Sequence, residues 1–218
     1  MKRIRHSGQS GGFSLVEAIV ITIILSVLIA LFLPALAKAR KKSSRIGCTN
    51  CLKQVGLAYR MWAGDNGDKY PMRVSVTNGG TMELVGSSNV FVNFLVMSNE
   101  LSTPKILLCP EDKKRMPASS FTTNFSDANV SYFVGVDADE TNSTMFLSGD
   151  DHLAVVGVPM KRGLLQLWTN GPVAWKAGRH SYGGNIGLVD GSVQSGTTAR
   201  LRLLLQQTGV ATNRLAMP

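Results

Sequence analysis

Beyond His6 near the N-terminus, Cys48, Cys51, Cys109, His152 and His180 are the cysteine and histidine side chains of this 218-residue chain, the donors a transition metal prefers. Zinc asks for four such ligands, and only Cys48 and Cys51, with two residues between them, stand at a metal-site spacing. No zinc centre is expected on that basis. Calcium asks for oxygens, and acidic residues fall in two clusters: Asp137, Asp139 and Glu140, then Asp150 and Asp151. The first opens Asp-x-Asp-x-Thr like a calcium loop but lacks the glycine at its sixth position and the glutamate at its twelfth. Solvated turns are the simpler reading, so no cofactor is expected and calcium is the one candidate kept. His180 has the chemistry of a base or a ligand, with Asp190 as the group that would orient it. No serine, cysteine or carboxylate pair can be placed around it from spacing, and glycines 183, 184, 187 and 191 follow no phosphate-loop pattern. The expectation is no enzyme. His180 would then be structural, in the turn entering a last hairpin, with its ring bonded to backbone left unpaired there.

The elements that would position these residues are read from periodicity. Val189-Asp190-Gly191-Ser192 predicts a two-residue type I′ turn, with Val193 returning on the second strand. Short apolar stretches predict strands at Ile106–Cys109, Val130–Val136, Met145–Ser148, Leu164–Trp168 and Ile186–Val189. Phe91–Met97 suits a short helix or a buried strand equally. A helix is predicted from Thr197 to Gln207, with Leu201, Leu204 and Leu205 on one side and Gly209 as its stop. Cys48, Leu52, Val55, Tyr59 and Trp62 recur at spacings of four and three, the stripe of an amphipathic helix. Gly64 and Asp65-Asn66-Gly67-Asp68 would end it. The fold class is α+β, with a small antiparallel sheet, and no internal repeat is visible.

Ahead of that stripe lies the least ordinary stretch. A basic leader (Lys2, Arg3, Arg5, His6) runs into Gly11-Gly12-Phe13-Ser14-Leu15-Val16-Glu17, and 20 uncharged residues follow from Ala18 to Ala37. That is long enough to cross a bilayer core as a helix, and a lone carboxylate at its front asks for a partner. The pattern resembles the type IV prepilin signal of type IV pilins and type II secretion pseudopilins. The resemblance implies cleavage after Gly12 by a prepilin peptidase, N-methylation of Phe13, and a role for Glu17 in filament assembly. Pro34 stands where the family often has a helix proline, and Trp62 to Pro71 is similar to the helix-to-head junction of major pseudopilins. A signal peptide cut at Ala35-Leu36-Ala37 is the competing reading, but the run is longer than an ordinary signal core. A plain unprocessed anchor is the other. The implied layout is a cleaved leader (1–12), a membrane and filament-core helix (13–37), its amphipathic continuation (38–64) and an extracytoplasmic α+β head (65–218), together the pilin ladle. Its partners would be the inner-membrane assembly platform, other pilin-like subunits and lipid, with the N-terminus cytoplasmic and the head periplasmic. The positive-inside rule opposes this, since five Lys/Arg (Lys38, Arg40, Lys41, Lys42, Arg45) follow the span and three precede it. The leader must stay cytoplasmic to be cut, and that requirement takes precedence here. Lipid phosphates are the expected partner of the basic run. No specific nucleic acid is expected, although the net charge is +9.

A second resemblance covers the rest. Cys48-x-x-x-Leu52-Lys53-Gln54, Cys109-Pro110-Glu111-Asp112, and His180 followed nine residues later by Asp190-Gly191 are similar to segments of a large group of prepilin-type proteins. No activity of that group's head carries over. An extracytoplasmic head with three cysteines invites a disulfide, and either Cys48 or Cys51 could face Cys109 and staple the helix to the head. Calcium gains its candidacy from pseudopilin heads that hold it. The alternative function is a surface-displayed binding module for glycans, DNA or another ligand. Trp168 and Trp175 discriminate: exposed together in a groove they favour binding, and packed in the core they favour a structural subunit.

Overall fold

A computed structural model describes residues 14–218, so the leader and the Gly12–Phe13 junction lie outside the described residues. The chain divides into two compact units, residues 1–42 and 43–218, and helix α1 (Leu15–Asp65) contributes to both. The division falls inside the helix, later than the sequence boundary after Ala37 and earlier than the one after Gly64. Each unit is described by itself.

In the N-terminal unit, Ser14 N–H donates to Glu17 Oε2 at 3.3 Å, which satisfies one of the amide groups a helix start leaves open. The hydroxyls of Thr22 and Ser26 donate back to the carbonyls of Ala18 and Ile23, both at 2.7 Å, so neither polar group is left unpaired on an apolar rod. Pro34 lies within the helix, where it forgoes one ladder bond. The large apolar side chains from Leu15 to Leu36 are between 43 % and 76 % exposed. Ile23, Ile24, Leu25, Val27, Leu28, Ile29 and Leu33 between them reach every face of the helix. An 18-residue stretch of α1 has a mean hydropathy of 3.0, long and apolar enough to span a membrane.

The second unit is an antiparallel sheet covered on both faces. The predicted stripe of α1 is buried throughout: Cys48, Leu52, Val55, Tyr59 and Trp62 are at most 6 % exposed. Each such side chain contributes roughly 1.5–3 kcal/mol by leaving water. The helix stops where the turn cluster begins, with Asn66 and Asp68 N–H groups returning to the Ala63 carbonyl at 2.9 Å. Phe91–Met97 resolves as helix, α2 (Val92–Leu95), followed by α3 (Ser98–Leu101).

The strands are β1 (Tyr132–Gly135), β2 (Phe146–Asp150), β3 (Leu153–Val155), β4 (Gly163–Trp168), β5 (Val173–Trp175), β6 (Gly183–Leu188), β7 (Val193–Thr197) and β8 (Thr212–Met217). Six of them form one sheet in the order β4-β8-β1-β2-β6-β7, and β3 pairs with β5 apart from it. Period-two alternation divides the core. Tyr132, Val134 and Leu147 turn to the face covered by α1, while Phe133, Phe146 and Ile186 turn to the face covered by α4 (Thr198–Gln207). Leu201, Leu204 and Leu205 of α4 are buried, and Gly209 follows with φ +73°.

Two expectations need correction. Ile106–Cys109 is no strand; Pro104–Leu107 is a 3₁₀ turn. Thr103 caps it by accepting from Lys105 N–H at 3.4 Å, and a proline after a threonine starts a helical turn more readily than a strand. The closing hairpin is not type I′ either, because Gly191 has φ +82° while Asp190 stays in the ordinary region. Gly191 N–H bonds the Leu188 carbonyl at 3.0 Å and Leu188 N–H bonds that of Ser192 at 2.9 Å, a longer loop with one left-handed glycine. Arg60 of α1 donates to Val189 O at 2.9 Å, and a Cβ on Gly191 would lie 3.1 Å from its guanidinium. Gly191→Val is therefore expected to cost roughly 1–2 kcal/mol through backbone strain, read as a lowered denaturation midpoint of the full chain.

Candidate functional site

The second unit brings Cys48, Cys109, Asp150 and His180 together, with one donor atom of each within 4.8 Å of all the others and all four residues buried. Four separate elements deliver them. Cys48 comes from the inner stripe of α1, Cys109 from the segment after the 3₁₀ turn, Asp150 from the end of β2 and His180 from the turn before β6. That last turn is unusual, since His180, Ser181 and Tyr182 all have positive φ (50°, 53° and 62°). Non-glycine residues hold such angles only when their surroundings fix them. Here His180 N–H donates to Glu111 Oε2 at 2.6 Å and Gly183 N–H closes back on the His180 carbonyl at 3.2 Å. The outcome is a histidine ring aimed inward.

The ring lies between three groups. Nε2 is 3.2 Å from Cys109 Sγ and 3.4 Å from Asp150 Oδ2, and Nδ1 is 3.3 Å from Glu111 Oε2 without hydrogen-bond alignment. The same oxygen of Asp150 is held by Asn185, whose backbone N–H and side-chain amide donate to Oδ2 at 2.8 and 2.9 Å. Cys48 Sγ lies 3.5 Å from Asp150 Oδ1 and 3.4 Å from Tyr132 Oη. Arg179 pairs with Asp112 and Asp151, and Arg115 joins the same two carboxylates, tying the segment after Cys109 to the turn that carries His180.

Burial sets the electrostatics. It works to raise Asp150, yet the hydrogen bond and charge of His180 hold that carboxyl below the usual range. Burial would also lower His180, and the contacts to Asp150 and Cys109 outweigh it, raising the imidazole to about 10. Cys109 is lowered to about 6, first by its bond with Cys48 and then, against burial, by His180. Cys48 is pushed far up by the same bond and by burial. The mutual contacts thus push His180 up and Asp150 and Cys109 down, against the direction in which burial acts on each.

The sequence expectations are redistributed by this geometry. Asp190 does not orient His180; it is exposed in the hairpin turn and accepts from Ser192 N–H at 2.8 Å, while Asp150 and Glu111 take the orienting positions. The ring that bonds backbone is that of His152, whose Nε2 is 2.8 Å from Gly183 O. A cysteine does stand beside His180, contrary to the sequence reading. All three cysteines are free thiols, with Cys48 beside Cys109 and Cys51 outside the cluster. The calcium candidates separate: Asp137 pairs with Arg214, Asp139 with Arg73 at 3.2 Å, Asp151 with the two arginines, and Asp150 joins the cluster. Trp175 is buried, stacked on His152 at 5.0 Å, and its ring fills the space a Cβ on Gly184 would need, while Trp168 is 56 % exposed. The two tryptophans form no shared groove. Glu111, Tyr132 and Asn185 escaped the sequence reading; only Glu111, inside the Cys-Pro-x-Asp segment, carried any signal.

No protein-family model matches the chain, and no curated protein or solved structure matches it either. Among the described residues the fold is that of an α+β protein with an antiparallel sheet and one helix long and apolar enough to cross a membrane.

Proposed function

We propose that this chain is a pilin-like structural subunit, processed by a prepilin peptidase and assembled into a type II secretion pseudopilus or a type IV pilus-like filament. One observation carries the reading. From Leu15 to Leu36 the helix is apolar on every face and exposed on every face, with Glu17 as the single charge. Such a rod needs an apolar surrounding, which lipid supplies before assembly and copies of the same helix supply afterwards. The cut after Gly12 would create a new amine at Phe13. Glu17, one helical turn further on, would pair with the amine of a neighbouring subunit, and misregister would leave a buried charge unpaired. In this reading the N-terminus is cytoplasmic, the second unit is the periplasmic head of a pilin ladle, and the inner-membrane platform extracts the helix during assembly. Trp175 is buried and Trp168 exposed, so the pair meets neither the shared-groove condition of the binding-module alternative nor the all-core condition of the structural reading.

Glu17→Leu is expected to leave membrane insertion intact and to reduce incorporation into filaments at least several-fold, because it removes the register partner and keeps the hydrophobicity. The measurement is filament yield beside wild type at matched membrane levels. Equal yield would remove Glu17 from the assembly mechanism.

A further inference from the structure

We propose that Cys48, Cys109, Asp150 and His180 form a binding site for a divalent transition metal, with zinc as the fitting ion. This inference is independent of the filament reading, because all four residues belong to the second unit. The donor set of two thiols, one imidazole and one carboxylate is zinc chemistry. The spacing agrees as well. Ligands at ordinary zinc distances, about 2.0–2.3 Å, stand about 3.3–3.8 Å apart at the corners of a tetrahedron. The contacts Cys109 Sγ–His180 Nε2 and His180 Nε2–Asp150 Oδ2 are 3.2 and 3.4 Å, and Cys48 Sγ stands 3.5 Å from the other carboxylate oxygen, Oδ1, with one donor atom of each residue within 4.8 Å of all the others. The two sulfurs are within 4.8 Å of each other.

The surroundings suit ligands that must be held in place. Glu111 Oε2 accepts the His180 backbone N–H at 2.6 Å and stands 3.3 Å from the far ring nitrogen, so it holds the turn that carries the imidazole and leaves Nε2 to the metal. Asn185 holds Asp150 through two donors and Tyr132 Oη abuts Cys48. The strained His180–Tyr182 turn is the local cost of bringing the imidazole to the other three.

Two other uses of the same residues fit less well. Cys109, His180 and Glu111 are ordered like a nucleophile, base and orienter. Cys109 is fully buried, however, and a carboxylate faces the same ring nitrogen, whereas a working thiolate needs access for its substrate. A Cys48–Cys109 disulfide would engage only the two sulfurs and leave the Asp150–His180 ion pair beside it unused, whereas a metal engages all four groups.

The test uses the full chain extracted in mild detergent under reducing conditions. After incubation with Zn²⁺ and removal of excess, elemental analysis should find about one zinc per chain. Replacement by Co²⁺ should give thiolate-to-cobalt charge-transfer absorption and the visible bands of a tetrahedral ion. Cys109→Ser and His180→Ala should lose most of the metal, and Glu111→Gln should weaken zinc affinity by roughly 10–100-fold while remaining folded. Cys51→Ser, outside the cluster, should bind like wild type. The inference is overturned if reduced, folded wild type takes up far less than one equivalent. It is equally overturned if Co²⁺ gives no thiolate charge transfer, or if Cys51→Ser loses metal as fully as Cys109→Ser.

Discussion

Tyr59→Ala is expected to destabilise the second unit by about 3–5 kcal/mol, the range for deleting a buried aromatic ring. Tyr59 is fully buried on the inner stripe of α1 and packs edge-on against Tyr70 at 5.7 Å and Phe94 at 6.3 Å. Alanine would leave a cavity among three elements that cannot close it without moving the helix. The hydroxyl is a separate matter. It has no hydrogen-bond partner and burial raises its pKa, so Tyr59→Phe should be neutral or slightly stabilising. Denaturant midpoints of the two variants against wild type separate ring from hydroxyl. A loss below about 1 kcal/mol for the alanine variant would mean that this stripe does not anchor the core.

That stripe was legible from sequence because helical burial is a local pattern: spacings of three and four put five residues on one face whatever they pack against. Leu201, Leu204 and Leu205 of α4 were legible for the same reason. Strands β3 and β5, three residues each, are too short to show alternation, and β8 hides its buried Leu215 and Met217 behind Asn213 and Arg214. The cluster was legible only in pieces. Cys48, Cys109 and His180 stood out as residue types, but their convergence is set by sheet register and the packing of α1. Cys48 meets Asp150 across 102 residues and Cys109 meets His180 across 71. No local spacing encodes such a meeting, so Asp190, near His180 in sequence and in a turn of its own, was the natural wrong partner.

Gly12→Val is expected to abolish processing. A peptidase that cuts after glycine needs a pocket closed to larger side chains, and a branched Cβ would hold the scissile bond out of position. The consequence extends to assembly. Without the cut there is an amide where the amine of Phe13 should be, so Glu17 would face no cation, and Lys2, Arg3 and Arg5 would stay attached to a helix that must leave the membrane. Residues 1–12 would remain on the chain and filament incorporation would fall with the cleavage. Gly11→Val, one residue further from the bond, should be tolerated better.

The most direct test of the filament-subunit reading is the intact mass of the chain extracted from membranes of cells that carry a prepilin peptidase. The mass predicted is that of a chain beginning at Phe13 with one added methyl group, and the Gly12→Val variant should retain its first 12 residues and gain no methyl. A mature chain beginning near Lys38 would mean that the apolar run is a signal peptide. A full-length, unmethylated wild-type chain would mean an unprocessed anchor, and either result would contradict the account.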